Sequence, residues 1–213
     1  MRAHRIARVL GVSVAITPAL LSGPVGIPSA YADPCPNAEV VFARGTGEPP
    51  GVGKVGQSFV DSLRSQVNGR SLGVYPVDYP ATQAFAASAN DGANDASAHV
   101  QDMVARCPNT RMVLGGFSQG AGVIDLATAA LPPPAADHVA AVALFGNPSS
   151  ALASSLAGIA FPAIGPLYSS KTIDQCAPDD PACSGGLNPL AHGSYVQSGM
   201  TSQAATFVAG RLS

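Results

Sequence analysis

The feature that most constrains this chain is the exchange of two hydrophobic periods along it. A β-branched apolar run, Glu39–Ala43, is followed by a segment, Gly56–Val67, that places Phe59, Val60, Leu63 and Val67 on one helical face. Leu72–Val77 is again strand-like, so a β-α-β unit is complete within the first ordered stretch. The pattern then repeats. Asn94–Arg106 reads as an amphipathic helix and Arg111–Leu114 as a strand. Gln119–Ala130 reads as an Ala-rich helix ended by Pro132, Pro133 and Pro134, and Val139–Phe145 as a buried strand. A strand around Leu167–Ile173 and a helix around Tyr195–Leu212 close the series. Crossovers between parallel strands are right-handed and place helices on both faces of the sheet. The fold class is therefore α/β, a three-layer α/β/α sandwich around a parallel sheet of about five strands. Sites in such sheets form beyond the carboxyl ends of the strands. The loops to search are residues 44–54, 78–92, 115–119, 146–166 and 174–192.

The first 32 residues stand apart from this pattern. Arg2, Arg5 and Arg8 precede the apolar run Val9–Leu21, and Ala30-Tyr31-Ala32 supplies a small-x-small cleavage site. This is the form of a secretory signal peptide, 1–32, ahead of one folded domain, 33–213. A membrane anchor is the rival reading, but the run is shorter than the roughly 20 residues a spanning helix needs and contains Pro18, so no stable membrane insertion is expected. Removing the leader takes three of the 11 basic residues and none of the 13 acidic ones, which leaves a mildly acidic exported chain. Lys54 and Lys171 are its only lysines, too few to neutralise phosphates, so nucleic acid is not an expected partner. With 46% hydrophobic and 11% charged residues, the chain has the composition of a packed core rather than of a disordered segment.

Export gives the four cysteines a meaning, because an even count in an oxidising compartment reads as disulfides. Four cysteines allow three pairings. Cys176 and Cys183 are close enough to close a small loop, which leaves Cys35 to Cys107. No Cys-x2-Cys or paired histidines favour zinc, and no metal is expected.

Gly116-Phe117-Ser118-Gln119-Gly120 forms a G-x-S-x-G turn between a strand and a helix, the context that lifts a serine hydroxyl above a sheet. A second formal match, Gly69-Arg70-Ser71-Leu72-Gly73, runs from helix to strand and reads as an ordinary turn. A serine nucleophile needs a base, and the mature chain offers His99, His138 and His192. His99 lies within a helix and His138 at the amino end of a strand. His192 lies in a loop at the carboxyl side of the last strand and is the better placed. An orienting carboxylate between serine and histidine is available at Asp174, Asp179 or Asp180, and spacing does not choose among them.

The constellation resembles the cutinase family of serine esterases, most closely its secreted actinobacterial branch, over nearly the whole mature chain. The marks are Ala43-Arg44-Gly45-Thr46, the Ser118 motif, the run Cys176-Ala-Pro-Asp-Asp180-Pro-Ala-Cys183 and His192. The resemblance implies Ser118 as nucleophile, His192 as general base and Asp180 as the orienting acid. It also implies an oxyanion hole from the backbone N–H groups of Thr46 and Gln119, and the same disulfide pairing as the spacing. Phe117 departs from the tyrosine frequent there and is not expected to touch the triad. The activity implied is hydrolysis of short- to medium-chain acyl esters, with triacylglycerols, phospholipids and cutin as further candidates, by a monomer without metal or organic cofactor. It would be secreted, with cell-wall association as an option. The apolar stretches from Tyr79 to Ala87 and Leu156 to Leu167 are candidates for an acyl groove. The chain has little length for a large lid, so activity on soluble esters without interfacial activation is expected. The rival readings are a catalytically silent binding or cell-wall protein on the same fold, and a phospholipase or acyltransferase using the same residues.

Overall fold

Five parallel strands form one sheet in the order β2-β1-β3-β4-β5. The strands are β1 (Ala38–Ala43), β2 (Leu72–Pro76), β3 (Arg111–Phe117), β4 (Val139–Phe145) and β5 (Thr172–Gln175). The structure is a computed structural model that describes residues 35–213, and the leader read at 1–32 lies outside the described residues. Helices α1 (Gly53–Arg64), α2 (Phe85–Arg106), α3 (Gln119–Ala130), α4 (Pro133–His138), α5 (Ala151–Ala157) and α6 (Met200–Leu212) complete the order. α1 and α6 cover one face, packing Phe59, Leu63, Ala205 and Val208 on Phe42, Val113 and Phe145. α2 and α3 cover the other, where Ala93, Val100, Val123 and Ile124 meet Val41, Leu114 and Val142. The central strands β1 and β4 are buried along their whole length and the edge strands β2 and β5 only in part. That is why β4, and β1 apart from Glu39, read as continuous apolar runs.

Where the elements differ from the sequence reading, packing overrides local propensity. α2 starts at Phe85 rather than Asn94. Gly92 reads as a helix breaker, but an added Cβ there would lie 3.0 Å from both the Tyr79 ring and Val123, so it is where α2 fits closely to its neighbours. β3 runs on to Phe117 through Gly115 and Gly116, and a Cβ on Gly115 would meet the Phe42 ring at 2.6 Å. β5 begins at Thr172, after a 3-10 turn over Pro166–Lys171 that buries Tyr168. α6 starts only at Met200, because Gly199 takes a left-handed conformation (φ 76°) that breaks the helix. Tyr195 is thereby released to turn into the core, where it is 0% exposed. α4 and α5 had no sequence signal strong enough to find them, both being short.

Both disulfides join the pairs expected, Cys35–Cys107 and Cys176–Cys183. The first ties the start of the described chain to the end of α2. The second closes the loop after β5.

Candidate active site

The site lies at the carboxyl ends of β3, β4 and β5. Ser118 sits between β3 and α3 with φ 55° and ψ −124°, a backbone conformation that L-residues adopt only when their surroundings enforce it. The surroundings are close. A Cβ on Gly116 would lie 2.2 Å from the Gly120 carbonyl oxygen, and one on Gly120 would lie 2.0 Å from that of Ala43, so neither position admits a side chain. The Ser118 N–H donates to the Phe145 carbonyl at 2.9 Å, which fastens the elbow to β4.

Ser118 Oγ lies 2.8 Å from His192 Nε2. His192 Nδ1 lies 2.9 Å from each carboxylate oxygen of Asp180. A carboxylate facing Nδ1 requires that nitrogen to carry the proton, which leaves Nε2 as the acceptor toward the serine hydroxyl. The Asp180 carboxylate has no exposure, whereas His192 keeps 27% of its side chain open. Asp180 also accepts from the Ala182 N–H (Oδ1, 2.8 Å) and from the Tyr195 hydroxyl (Oδ2, 2.5 Å). The Ala177 N–H in turn donates to Tyr195 at 3.2 Å. Burial first, and the hydrogen bond to Asp180 besides, push the Tyr195 phenol well above its ordinary range, so it remains a donor.

The three candidate acids therefore divide. Asp180 faces His192. Asp179 is exposed, in a left-handed turn (φ 65°) against Gly186. Asp174, at the end of β5, accepts a hydrogen bond from Asn147 Nδ2 at 3.1 Å, and the same nitrogen donates to Asp125 at 3.0 Å. Asp174 is thus part of a carboxylate and amide cluster with Asp125 and Asn147. Of the remaining histidines, His99 pairs with Glu39 and stacks on Tyr75 with ring centroids 3.5 Å apart, and His138 closes α4 at the amino end of β4.

Phe117 corrects an expectation. Its ring stacks on His192 with centroids 5.0 Å apart, and meets Tyr195 edge-on at 5.8 Å, so it does touch the array. The cause is the extension of β3 by three residues, which carries Phe117 to the level of the serine elbow.

Of the two residues assigned to the oxyanion hole, Gln119 is the first residue of α3, where backbone N–H groups lack helical acceptors. Its side chain is 2% exposed, accepting from Ser88 Oγ at 3.1 Å and donating to the Thr82 carbonyl at 2.9 Å. Thr46 lies on the loop after β1, and its hydroxyl makes no hydrogen bond among the described residues. That loop is braced by residues the sequence reading did not single out for this purpose. Buried Arg44 donates to the carbonyls of Glu48 (2.8 Å) and Tyr79 (2.7 Å). Glu48 accepts from the N–H groups of Gly45 (2.7 Å) and Lys54 (2.8 Å), joining the loop to the first turn of α1.

Ser118, Gln119 and His192 open on an apolar cavity of about 250 Å3 walled by Phe85, Leu152, Leu156, Phe161, Pro181 and Pro189. Phe85, Leu156 and Phe161 come from the apolar stretches singled out in the sequence. Tyr79 and Ala81, from the same stretches, are core instead. Leu152 belongs to α5, and Pro189 to the loop before His192.

A serine elbow, an imidazole and a buried carboxylate in line on a parallel α/β/α sheet define a serine hydrolase of the α/β-hydrolase class. The Cutinase family model matches residues 34–212, and the chain belongs to the cutinase family, as an ester hydrolase. Among its relatives, carboxylesterase Culp1 of Mycobacterium tuberculosis is 64% identical over 213 residues, covering 100% of this chain and 98% of its own. Phospholipase Culp4 of the same organism is 53% identical over 220 residues, covering 99% and 93%. In structure the chain is similar to Trichoderma reesei cutinase bound to a phosphonate inhibitor, with a TM-score of 0.71 at 34% identity over 85% of this chain and 78% of that one.

Proposed function

We propose that the protein is an exported carboxylesterase acting on short- to medium-chain aliphatic acyl esters, with Ser118 as nucleophile, His192 as general base and Asp180 as orienting acid. The observation that carries this reading is the unbroken line from Ser118 Oγ through His192 to Asp180, opening on an apolar groove with no lysine or arginine in its wall among the described residues. His192 Nε2 takes the hydroxyl proton as Ser118 Oγ bonds to the ester carbonyl carbon. The resulting oxyanion is held by the backbone N–H groups of Gln119 and Thr46. Collapse breaks the bond to the alcohol, which leaves with the proton carried by His192. Water, deprotonated by the same nitrogen, then releases the acid from the acyl-serine. Asp180 keeps Nδ1 protonated and stabilises the imidazolium in both halves.

The groove favours alkyl over sugar or charged acyl groups. Leu156 in its wall is 73% exposed, and Leu187 and Leu190, close in the chain to the wall residue Pro189, are 81% and 82% exposed. These exposed leucines also support phospholipid esters as a second substrate class, and the 53% identical relative is named a phospholipase. Two disulfides support an oxidising destination, and no described helix is long and apolar enough to cross a membrane.

The test is hydrolysis of a p-nitrophenyl acyl series from C2 to C16 by oxidised protein beside Ser118→Ala. Loss of activity in the variant by several orders of magnitude is expected. Inactivity of the folded, disulfide-intact wild type would refute the ester reading.

A further inference from the structure

Beside the groove lies a second cavity, of about 280 Å3, lined by Asp125, Asn147, Ser149, Phe161, Ile164 and Asp174 among others. The two cavities have only Pro148 and Phe161 in common. Their characters differ. The first is walled by alkyl and aromatic groups, whereas the second holds two carboxylates bridged by one amide nitrogen. Asp125 is 1% exposed, and its Oδ1 has no hydrogen-bond partner.

Phe161 has a shaped seat. Gly122, one turn into α3 from Ser118, faces its ring, and a Cβ there would lie 2.4 Å from Cδ1. The ring thus rests directly on the backbone of the helix that carries the nucleophile. It is only half-buried, so its position is set by this contact and by the core beneath it.

We propose that Phe161 is the chain-length stop of the acyl groove, its ring partitioning the apolar catalytic cavity from a neighbouring cavity whose two carboxylates disfavour alkyl chains. This rests on the ester-hydrolase reading and names the residue that sets its specificity. The physical reason is twofold. A chain held on Ser118 fills the groove until it meets the ring, and each methylene beyond that must displace it from the Gly122 seat. A methylene that passed the ring would strip water from the exposed Asp174 carboxylate without replacing its hydrogen bonds, which is costly for a charged group.

The test compares kcat/KM for p-nitrophenyl butyrate and laurate in wild type, Phe161→Ala, Phe161→Leu, Phe161→Trp and Phe161→Ala/Asp174→Asn. Opening the partition is expected to raise the laurate-to-butyrate ratio about tenfold in Phe161→Ala, on the scale of one or two methylenes in an apolar pocket. Phe161→Leu, which keeps the packing on the core, is expected to raise it less, and Phe161→Trp to lower it. The double variant should exceed Phe161→Ala, since a neutral amide is cheaper to desolvate than a carboxylate. An unchanged ratio in folded Phe161→Ala and Phe161→Leu would overturn the proposal. Should Phe161→Ala fail to fold, Phe161→Leu and Phe161→Trp decide it. A wild type inactive on both esters would instead refute the ester-hydrolase reading.

Discussion

The Tyr195 hydroxyl donates to Asp180 Oδ2 at 2.5 Å, and neither residue has any exposure. A phenol inserted behind the carboxylate fixes its plane and takes part of its negative charge, while the Ala182 N–H holds the other oxygen. Phe in place of Tyr195 keeps the ring packing on Phe117 and Phe145 and removes only the hydroxyl. We expect kcat/KM of Tyr195→Phe to fall about tenfold, the scale of one hydrogen bond to a charged group. The acid limb of its pH profile should move to higher pH, because a carboxylate freed of that bond holds the imidazolium more strongly. A loss of stability with an unmoved pH limb would make Tyr195 a packing residue only.

Phe117 stacks its ring on that of His192. Removing the ring in Phe117→Ala frees the imidazole to leave its line with Ser118, so kcat should fall several-fold with KM little changed. Unfolding stability should drop by about 2–3 kcal/mol for the lost aromatic packing. Phe117→Tyr retains the ring and should retain most of the activity. Steady-state kinetics and denaturant titration of the two variants decide this.

The two disulfides should separate stability from activity. Cys35–Cys107 spans 72 residues and Cys176–Cys183 spans 7. By loop entropy the first contributes about 4 kcal/mol and the second about 2.5 kcal/mol. The short bridge, however, closes the loop that carries Asp180, and Cys183 Sγ lies 3.6 Å from the Tyr195 hydroxyl. Replacing Cys176 and Cys183 by alanine should therefore cost more activity, and replacing Cys35 and Cys107 more stability. Melting curves and initial rates of the two double variants test the crossing.

Asp125 makes stability depend on pH. Burial pushes its carboxyl up to about 7, against the favourable Asn147 hydrogen bond and with the nearby Asp174 charge adding to the rise. In the unfolded chain an aspartate loses its proton near pH ~3.9. Between these values the native state binds the extra proton, so the Asp125 contribution to stability falls as pH rises from about 4 to about 7 and stays low above that. Asp125→Asn lacks this titration. The stability of wild type minus that of Asp125→Asn should decline across the window by roughly 2–4 kcal/mol. A flat difference from pH 4 to 8 would mean Asp125 is ionised throughout.

Much of the fold was legible because it is written in local periods. The β-branched run of β1, the apolar face of α1, the limits of α3 and β4, and the serine turn each declare themselves within about a dozen residues. Glycine weakened the reading where it served tertiary contacts. Gly92 hid the first part of α2, Gly115 and Gly116 hid the end of β3, and Gly199 broke a helix whose pattern reads as continuous to Tyr195. At the site, the residue types and their order were visible. Tyr195, Arg44, Glu48 and Leu152 were not singled out for their site contacts. Their signal was a tyrosine three residues after His192, an arginine closing β1, and a short amphipathic turn.

By itself the sequence determined the alternation of strands and helices, the glycine-flanked serine and the small cysteine loop, since each depends on neighbours along the chain. Spacing left three aspartates open and the family resemblance pointed to Asp180, whereas that Phe117 stacks on His192, that Tyr195 supports Asp180 and that Phe161 stands between two cavities came from the folded chain. These contacts join residues brought together by sheet order, such as Phe117 with His192 and Gly122 with Phe161. The hydrophobic effect that drives them is non-directional, so a period states which face is buried but not what it meets. The partner is chosen by close packing once β3, β4 and β5 lie side by side.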